Sequence, residues 1–169
     1  SKPWNDGIIA FDGIDATIEL VGTNKITCNE IANHAKPILL QNDTGKTITI
    51  TGTGSLTTDS YSNAIQNGFN QNCKVVVDKA TLNLNNTFMA KDIVIQNGAK
   101  VNSNSESDAI NCTTLTVTDS DVRITKGGYS TYAIKCTEII DEPNIRIAGS
   151  SNVNVTSVSY THLRAHETE

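Results

Sequence analysis

Ile93-Val94-Ile95-Gln96-Asn97-Gly98-Ala99-Lys100-Val101 opens a stretch, running to Ile147, in which one short pattern is written twice and begun a third time. The first pass continues through a Ser/Asn-rich loop to Asp108-Ala109-Ile110-Asn111-Cys112. The second runs Leu115-Thr116-Val117, then Val122-Arg123-Ile124, then Tyr132-Ala133-Ile134-Lys135-Cys136. The third starts at Ile139-Ile140 and reaches Ile145-Arg146-Ile147. Short alternating apolar segments separated by polar corners, repeated as a unit, are the signature of a coiled, stacked β architecture.

Working outward, the third strand of the unit recurs as Pro37-Ile38-Leu39-Leu40, Asn63-Ala64-Ile65, Thr87-Phe88-Met89-Ala90, Asp108-Ala109-Ile110 and Tyr132-Ala133-Ile134. First-strand anchors are expected at Leu20, Ile50, Val77, Ile95, Val117 and Ile140. Second-strand anchors are expected at Ile26, Leu56, Leu82, Val101, Val122 and Ile145. Near the start, the segment from Gly7 matches the segment from Pro37 at an offset of 30, with Ile18 placed on Ile48. Three strands per unit with variable corners predict an all-β fold: a right-handed single-stranded parallel β-helix of about five to six turns, truncated at both ends. The alternative is an antiparallel sandwich, whose strands also alternate, but a sandwich gives no reason for like residues to recur in the same slot. A single coil cannot bury enough apolar surface to offset the entropy of ordering it, so stability must grow with stacking. An uncapped stack predicts an exposed apolar edge from Ile145 to Val155, open to self-association.

Composition fits this reading. Aromatics make up 5% and charged residues 18% of the 169 residues, while Thr, Ile and Val suit pleated surfaces and Asn, Ser and Gly suit corners. The net charge of −5, with no basic cluster, argues against nucleic acid as a partner, because phosphate affinity rests on Lys and Arg. No apolar run is long enough to span a bilayer. Cys112 and Cys136 share a slot that Ala90 also occupies, with Cys73 within one residue of it. They are expected as an inward column of small side chains, with an oxidised framework as the alternative.

Two carriers of chemistry stand out on the expected surface. Lys25, Lys100, Arg123 and Arg146 are expected to form an outward basic column, able to grip carboxylated sugars, with a column neutralised by Asp119, Asp121, Asp141 and Glu142 as the plain alternative. Tyr61, Tyr129 and Tyr132 fall in the loops before the third strand, where rings can stack on sugars. Thr49, Val76, Val94 and Thr116 are expected on a flat outer face that can meet a polymer or another subunit. Catalysis by a hydrolytic triad has no support, since His34 is the one histidine before the final segment and lacks a nucleophile partner. No Cys/His metal spacing, phosphate loop or dinucleotide fingerprint is present.

Two resemblances add to this. Val158-Ser159-Tyr160-Thr161-His162-Leu163-Arg164-Ala165-His166-Glu167-Thr168 resembles a translated adapter from DNA library preparation, which divides the chain into a β-helix fragment, 1–157, and an artefactual tail, 158–169. Ile18-Glu19-Leu20-Val21-Gly22-Thr23-Asn24-Lys25-Ile26-Thr27 and Thr47-Ile48-Thr49-Ile50-Thr51-Gly52-Thr53-Gly54-Ser55-Leu56-Thr57 resemble repetitive bacterial surface proteins, nearest to the carbohydrate-binding, polysaccharide-lyase-like β-helix family. The resemblance implies a secreted or cell-surface protein that binds polysaccharide with calcium. The family's Asp-Ala-Ile phrase matches at Asp108-Ala109-Ile110, so Asp108 with Glu106 is the implied Ca²⁺ site, although Asn63 and Tyr132 replace the acid in neighbouring copies. The alternative for these carboxylates is a solvated corner. Three functions follow as expectations: a polysaccharide-binding module without catalysis, a structural stalk or adhesin segment, or a fragment of a calcium-dependent polysaccharide lyase.

Overall fold

The computed structural model describes residues 7–28, 35–41, 44–67, 72–127, 132–136 and 144–157. Those residues form three parallel sheets of six strands each and no helix. The first sheet holds β2 (Ala16–Glu19), β5 (Thr47–Thr51), β8 (Lys74–Asp78), β11 (Asp92–Gln96), β14 (Thr114–Thr118) and β17 (Ile145–Ala148). The second holds β3 (Thr23–Cys28), β6 (Ser55–Ser60), β9 (Thr81–Asn85), β12 (Lys100–Ser105), β15 (Asp121–Lys126) and β18 (Asn152–Ser157). The third holds β1 (Gly7–Asp12), β4 (Lys36–Gln41), β7 (Ile65–Asn67), β10 (Phe88–Met89), β13 (Ile110–Cys112) and β16 (Ile134–Cys136). Every strand pairs with its counterpart one coil away, which makes a parallel β-helix of about six turns and excludes the antiparallel sandwich.

The core follows from strand alternation. Successive side chains point to opposite faces, and the first-sheet strands read alternately half-buried and buried, as in Thr47–Thr51 and Thr114–Thr118. Register places Ile18, Ile50, Val77, Ile95, Val117 and Ile147 in one inward column. The third sheet contributes Ile38, Ile65, Phe88, Ile110 and Ile134 in another. All of these side chains except Ile147 belong to one continuous apolar cluster along the stack. At the far end Ile145, Ile147 and Val155, although in inward columns, are 43%, 53% and 47% exposed, which is the apolar edge expected there.

Three expected registers are corrected. Ile145–Ala148 pairs with β14 of the first sheet, not with the second, so Ile147 rather than Ile140 closes the first-sheet column. The second-sheet column closes on Val153 instead of Ile145. The cause is the extra chain between β16 and β17, which carries Ile139-Ile140, a pair that imitates strand anchors; it lies outside the described residues. In the first coil the constant offset fails as well. Ile9 pairs with Ile38, Ile18 with Ile50, and Ile26 with Thr58, because the corners between these strands differ in length.

The corner between the first and second sheets is short in every coil and turns through a left-handed backbone. Gly22, Gly52, Lys79, Asn97 with Gly98, Asp119 and Gly149 have positive φ at the six successive corners. At Gly52 the requirement is double. Its φ is +106°, and a Cβ there would lie within van der Waals overlap of the Leu20 carbonyl in the coil below. Gly54 N–H also donates to the Leu20 carbonyl at 2.9 Å. Gly98, at φ +81°, has open space around the same position. Gly98→Ala should therefore cost only the left-handed strain of about 1–2 kcal/mol, while Gly52→Ala adds overpacking and should cost about 3 kcal/mol or more. Urea unfolding of the two variants compares them directly, and equal losses would contradict this account.

Cys112 and Cys136 are in register on adjacent third-sheet strands, and all four described cysteines are free thiols. Asn67 occupies the slot expected for Cys73, which instead sits at the entrance to β8, its carbonyl accepting from Lys91 N–H. Burial, then the neighbouring Cys136 thiol and the Asp92 charge, push the Cys112 thiol well above its ordinary range. A thiol raised in the fold holds its proton more tightly there than in the unfolded chain. Its contribution to stability is complete below the unfolded pKa of about 8.5 and is lost as pH rises beyond that value. Under reducing conditions Tm should fall from about pH 8 to pH 10, and Cys112→Val should make that fall shallower. An unchanged slope would show that this thiol is not linked to folding.

Candidate functional site

The outward columns of the second sheet carry rows of amide, hydroxyl and charged side chains. Leu82-Asn83-Leu84-Asn85 and Val101-Asn102-Ser103-Asn104 alternate so that leucine, valine and serine face in while every asparagine faces out. Register then stacks Lys25, Thr57, Asn83, Asn102, Arg123 and Asn154 in one column. A neighbouring column runs Asn85, Asn104, Thr125 and Thr156, with Asp59 beside Asn85. The amides hold one another across coils: Asn102 Nδ2 donates to Asn83 Oδ1 at 2.8 Å, and Asn83 Nδ2 to Thr57 Oγ1 at 3.5 Å. Asn85 Nδ2 donates to Asp59 Oδ1 at 3.4 Å, and Asp59 also pairs with Lys25 at 3.8 Å. Behind this face the Ser103 hydroxyl is buried with no hydrogen-bond partner.

Two concavities meet on this surface. One, of about 570 Å³, lies over the strand face and is lined by Lys25, Thr57, Asn83, Asn102, Arg123 and Thr125 among others. The second, of about 670 Å³, lies at the corner leading to the third sheet and is lined by Cys28, Ser60, Tyr61, Asn86, Glu106 and Ser107 among others. Asp59, Asn85 and Asn104 line both, so the two form a continuous polar groove. Asn86, at φ +89°, turns that corner; its side chain donates to the Ser60 carbonyl at 2.8 Å, and its backbone N–H to the Asn104 carbonyl. Cys28 forms part of the groove floor, where burial and then the Asp59 charge push its thiol up.

The structure brings Lys25, Tyr61, Glu106 and Arg123 together, all lining the groove, and separates the rest. Tyr61 is 67% exposed and Tyr132 is 63% exposed at the same kind of corner, three coils further along, or about 14 Å at the usual strand spacing. Tyr129 lies outside the described residues. The expected basic column does not assemble. Arg123 is on the second sheet beside Asn102 and Asn154, Arg146 is on the first sheet beside Thr116, and Lys100 pairs with Thr81 and Asp121 in a different column. A slot-by-slot reading put them together because Ile145-Arg146-Ile147 imitates Val122-Arg123-Ile124. The flat first-sheet face does form, with Thr49, Val76, Val94 and Thr116 in register.

The calcium expectation fares differently. Asp108 Oδ1 accepts the Tyr132 backbone N–H at 2.8 Å, and Asp108 Oδ2 lies 3.6 Å from Lys135 Nζ. Glu106 belongs to the groove corner, one coil-width from Gly127. Among the described residues no three His, Cys, Asp or Glu side chains gather to hold a metal. Calcium takes six to eight oxygen ligands, several of them carboxylate, while Asp108 already turns one oxygen to the Tyr132 N–H and the other to Lys135. Of the acidic residues expected to neutralise the basic column, Asp119 accepts the Ser150 N–H at 2.8 Å, while Asp141 and Glu142 lie outside the described residues.

The asparagines are groove-lining residues that a reading of motifs passed over. Their signal was present as strict alternation in Leu82-Asn83-Leu84-Asn85, which places both amides on one face of a strand. Comparison with protein-family models, with curated proteins and with solved structures finds no match for the chain.

Asp108 closes the corner it sits in. Asp108→Ala should lower stability by about 1–2 kcal/mol through loss of the charge-assisted bond to the Tyr132 backbone. Asp108→Asn keeps an acceptor and should lose less than about 1 kcal/mol, because the pair is 3.6 Å long and its lysine end is solvated. Thermal unfolding that ranked the two variants the other way would assign the ion pair the larger share.

Proposed function

We propose that the chain is a non-catalytic polysaccharide-binding β-helix module, working outside the cell or on the bacterial cell surface, with its site in the second-sheet groove. The observation that carries the reading is the continuous groove itself: rows of amides and hydroxyls repeated from coil to coil, with the exposed Tyr61 ring at its corner. Amides present a donor and an acceptor side by side, which suits pairs of sugar hydroxyls. An aromatic face covers the apolar side of a pyranose ring. A polymer is favoured over a single sugar because outward polar side chains recur at every coil, with amides at three of the six in the main column, about 4.8 Å apart, comparable to the rise of an extended glycan chain.

A structural stalk is the second reading, and the amide ladder favours it. Asn102, Asn83 and Asn85 each spend a donor on the neighbouring coil, which stiffens the stack whether or not a ligand is present. The lyase reading needs a basic column beside a calcium cage, and neither is assembled by the described residues.

The test is retention of the chain on immobilised plant and microbial polysaccharides. At least one polymer should retain it, and Tyr61→Ala together with Asn104→Ala should weaken retention by about tenfold, as expected for losing one stacked ring and one hydrogen-bonding amide. Both side chains are exposed, so circular dichroism should show folding unchanged. Absence of retention on every polymer would leave the stalk as the function.

A further inference from the structure

The groove also specifies the class of polymer it takes, an inference that rests on the binding role proposed above. Four charged side chains line it: Lys25 and Arg123 against Asp59 and Glu106. Lys25 is already paired with Asp59, and at the corner holding Tyr61 the two lining charges are both carboxylates. Any polyanion lying along the groove would pass over those carboxylates, and the chain as a whole carries −5. Lys25 offsets Asp59, and the two cations and two anions of the lining cancel in number, so the groove offers a polyanion no net attraction.

The uncharged groups point the other way. Asn104 and Thr125, in one column of the groove, make no side-chain hydrogen bond to the described protein, so their donors and acceptors face the groove. Asn102 donates to Asn83, and its own carbonyl oxygen remains an acceptor. Arg123 has no carboxylate partner among the described residues. Its planar guanidinium offers five donors, which hydroxyl and ring oxygens can accept as readily as a carboxylate. The surface is therefore matched to a dense array of neutral hydroxyls, with one ring-stacking position at Tyr61. The described carboxylates do not form a calcium cage through which an acidic sugar would be bridged.

We infer that the second-sheet groove binds a neutral, hydroxyl-rich polysaccharide, in an extended conformation along the stacking direction, without calcium and without net charge attraction.

The experiment is affinity electrophoresis of the full chain in gels containing either a neutral glycan (mixed-linkage glucan, xylan or galactomannan) or polygalacturonate, each at low and high salt and with EDTA or Ca²⁺. Retardation is expected in at least one neutral gel, changing by less than about twofold with salt, and unaffected by EDTA. Polygalacturonate should not retard the protein. The double variant Asp59→Asn/Glu106→Gln removes both carboxylates and should gain polygalacturonate retardation that high salt abolishes. Stronger retardation by polygalacturonate than by any neutral glycan, or loss of retardation in EDTA, would overturn this inference while leaving a polysaccharide-binding role intact. No retardation by any polymer would overturn both.

Discussion

Everything in this molecule depends on one contact repeated five times: a coil laid in parallel register on the coil before it. The ladder satisfies backbone donors and acceptors that would otherwise be buried unpaired, and the same register brings like side chains together in columns. Inside, this yields the aliphatic rows through Ile50, Val77 and Ile95 and through Ile65, Phe88 and Ile110. Outside, it turns alternation along a strand into rows of like chemistry across strands. The asparagine groove is thus a product of register before it is a product of any single residue.

Register also explains what was legible in the sequence. Five of the six third-sheet strands could be read, from the phrases Ala64-Ile65, Ala109-Ile110 and Ala133-Ile134 together with Ile38 and Phe88, and the structure sets these residues in one column. The first coil and the last were misread. Apolar doublets recur too often in a chain of this composition for spacing alone to fix a pairing, and Ile139-Ile140 offered an anchor where the structure uses Ile145 and Ile147. That slip put Arg146 on the wrong sheet, and the basic column went with it. A slip of one slot changes every neighbour a side chain has.

The candidate site was legible only in part. Lys25, Tyr61, Glu106 and Arg123 reach the groove, but the asparagines that line it carry no motif, since asparagine as a residue type signals turns. In the structure Asn83, Asn85, Asn102 and Asn104 stand on strands, and for the first three cross-coil amide bonds compensate their poor strand propensity. Left-handed corners divide the same way. Gly22, Gly52 and Asn97-Gly98 announce themselves, whereas Lys79 and Asp119 adopt the same geometry with residues that do not.

Those left-handed corners carry a further consequence for how such a chain can change. The corner between the first and second sheets keeps nearly the same length in all six coils, from Glu19 to Thr23 through to Ala148 to Asn152. Differences in coil length therefore fall at the two corners that flank the third sheet. One edge of the stack behaves as a fixed spine, and the opposite side as a set of sockets into which loops of different length can be spliced without shifting a single column. The corner concavity, with Tyr61 at its rim, opens on the variable side. Recognition could be altered there by exchanging loops, while the spine goes on dictating the pitch of the coil.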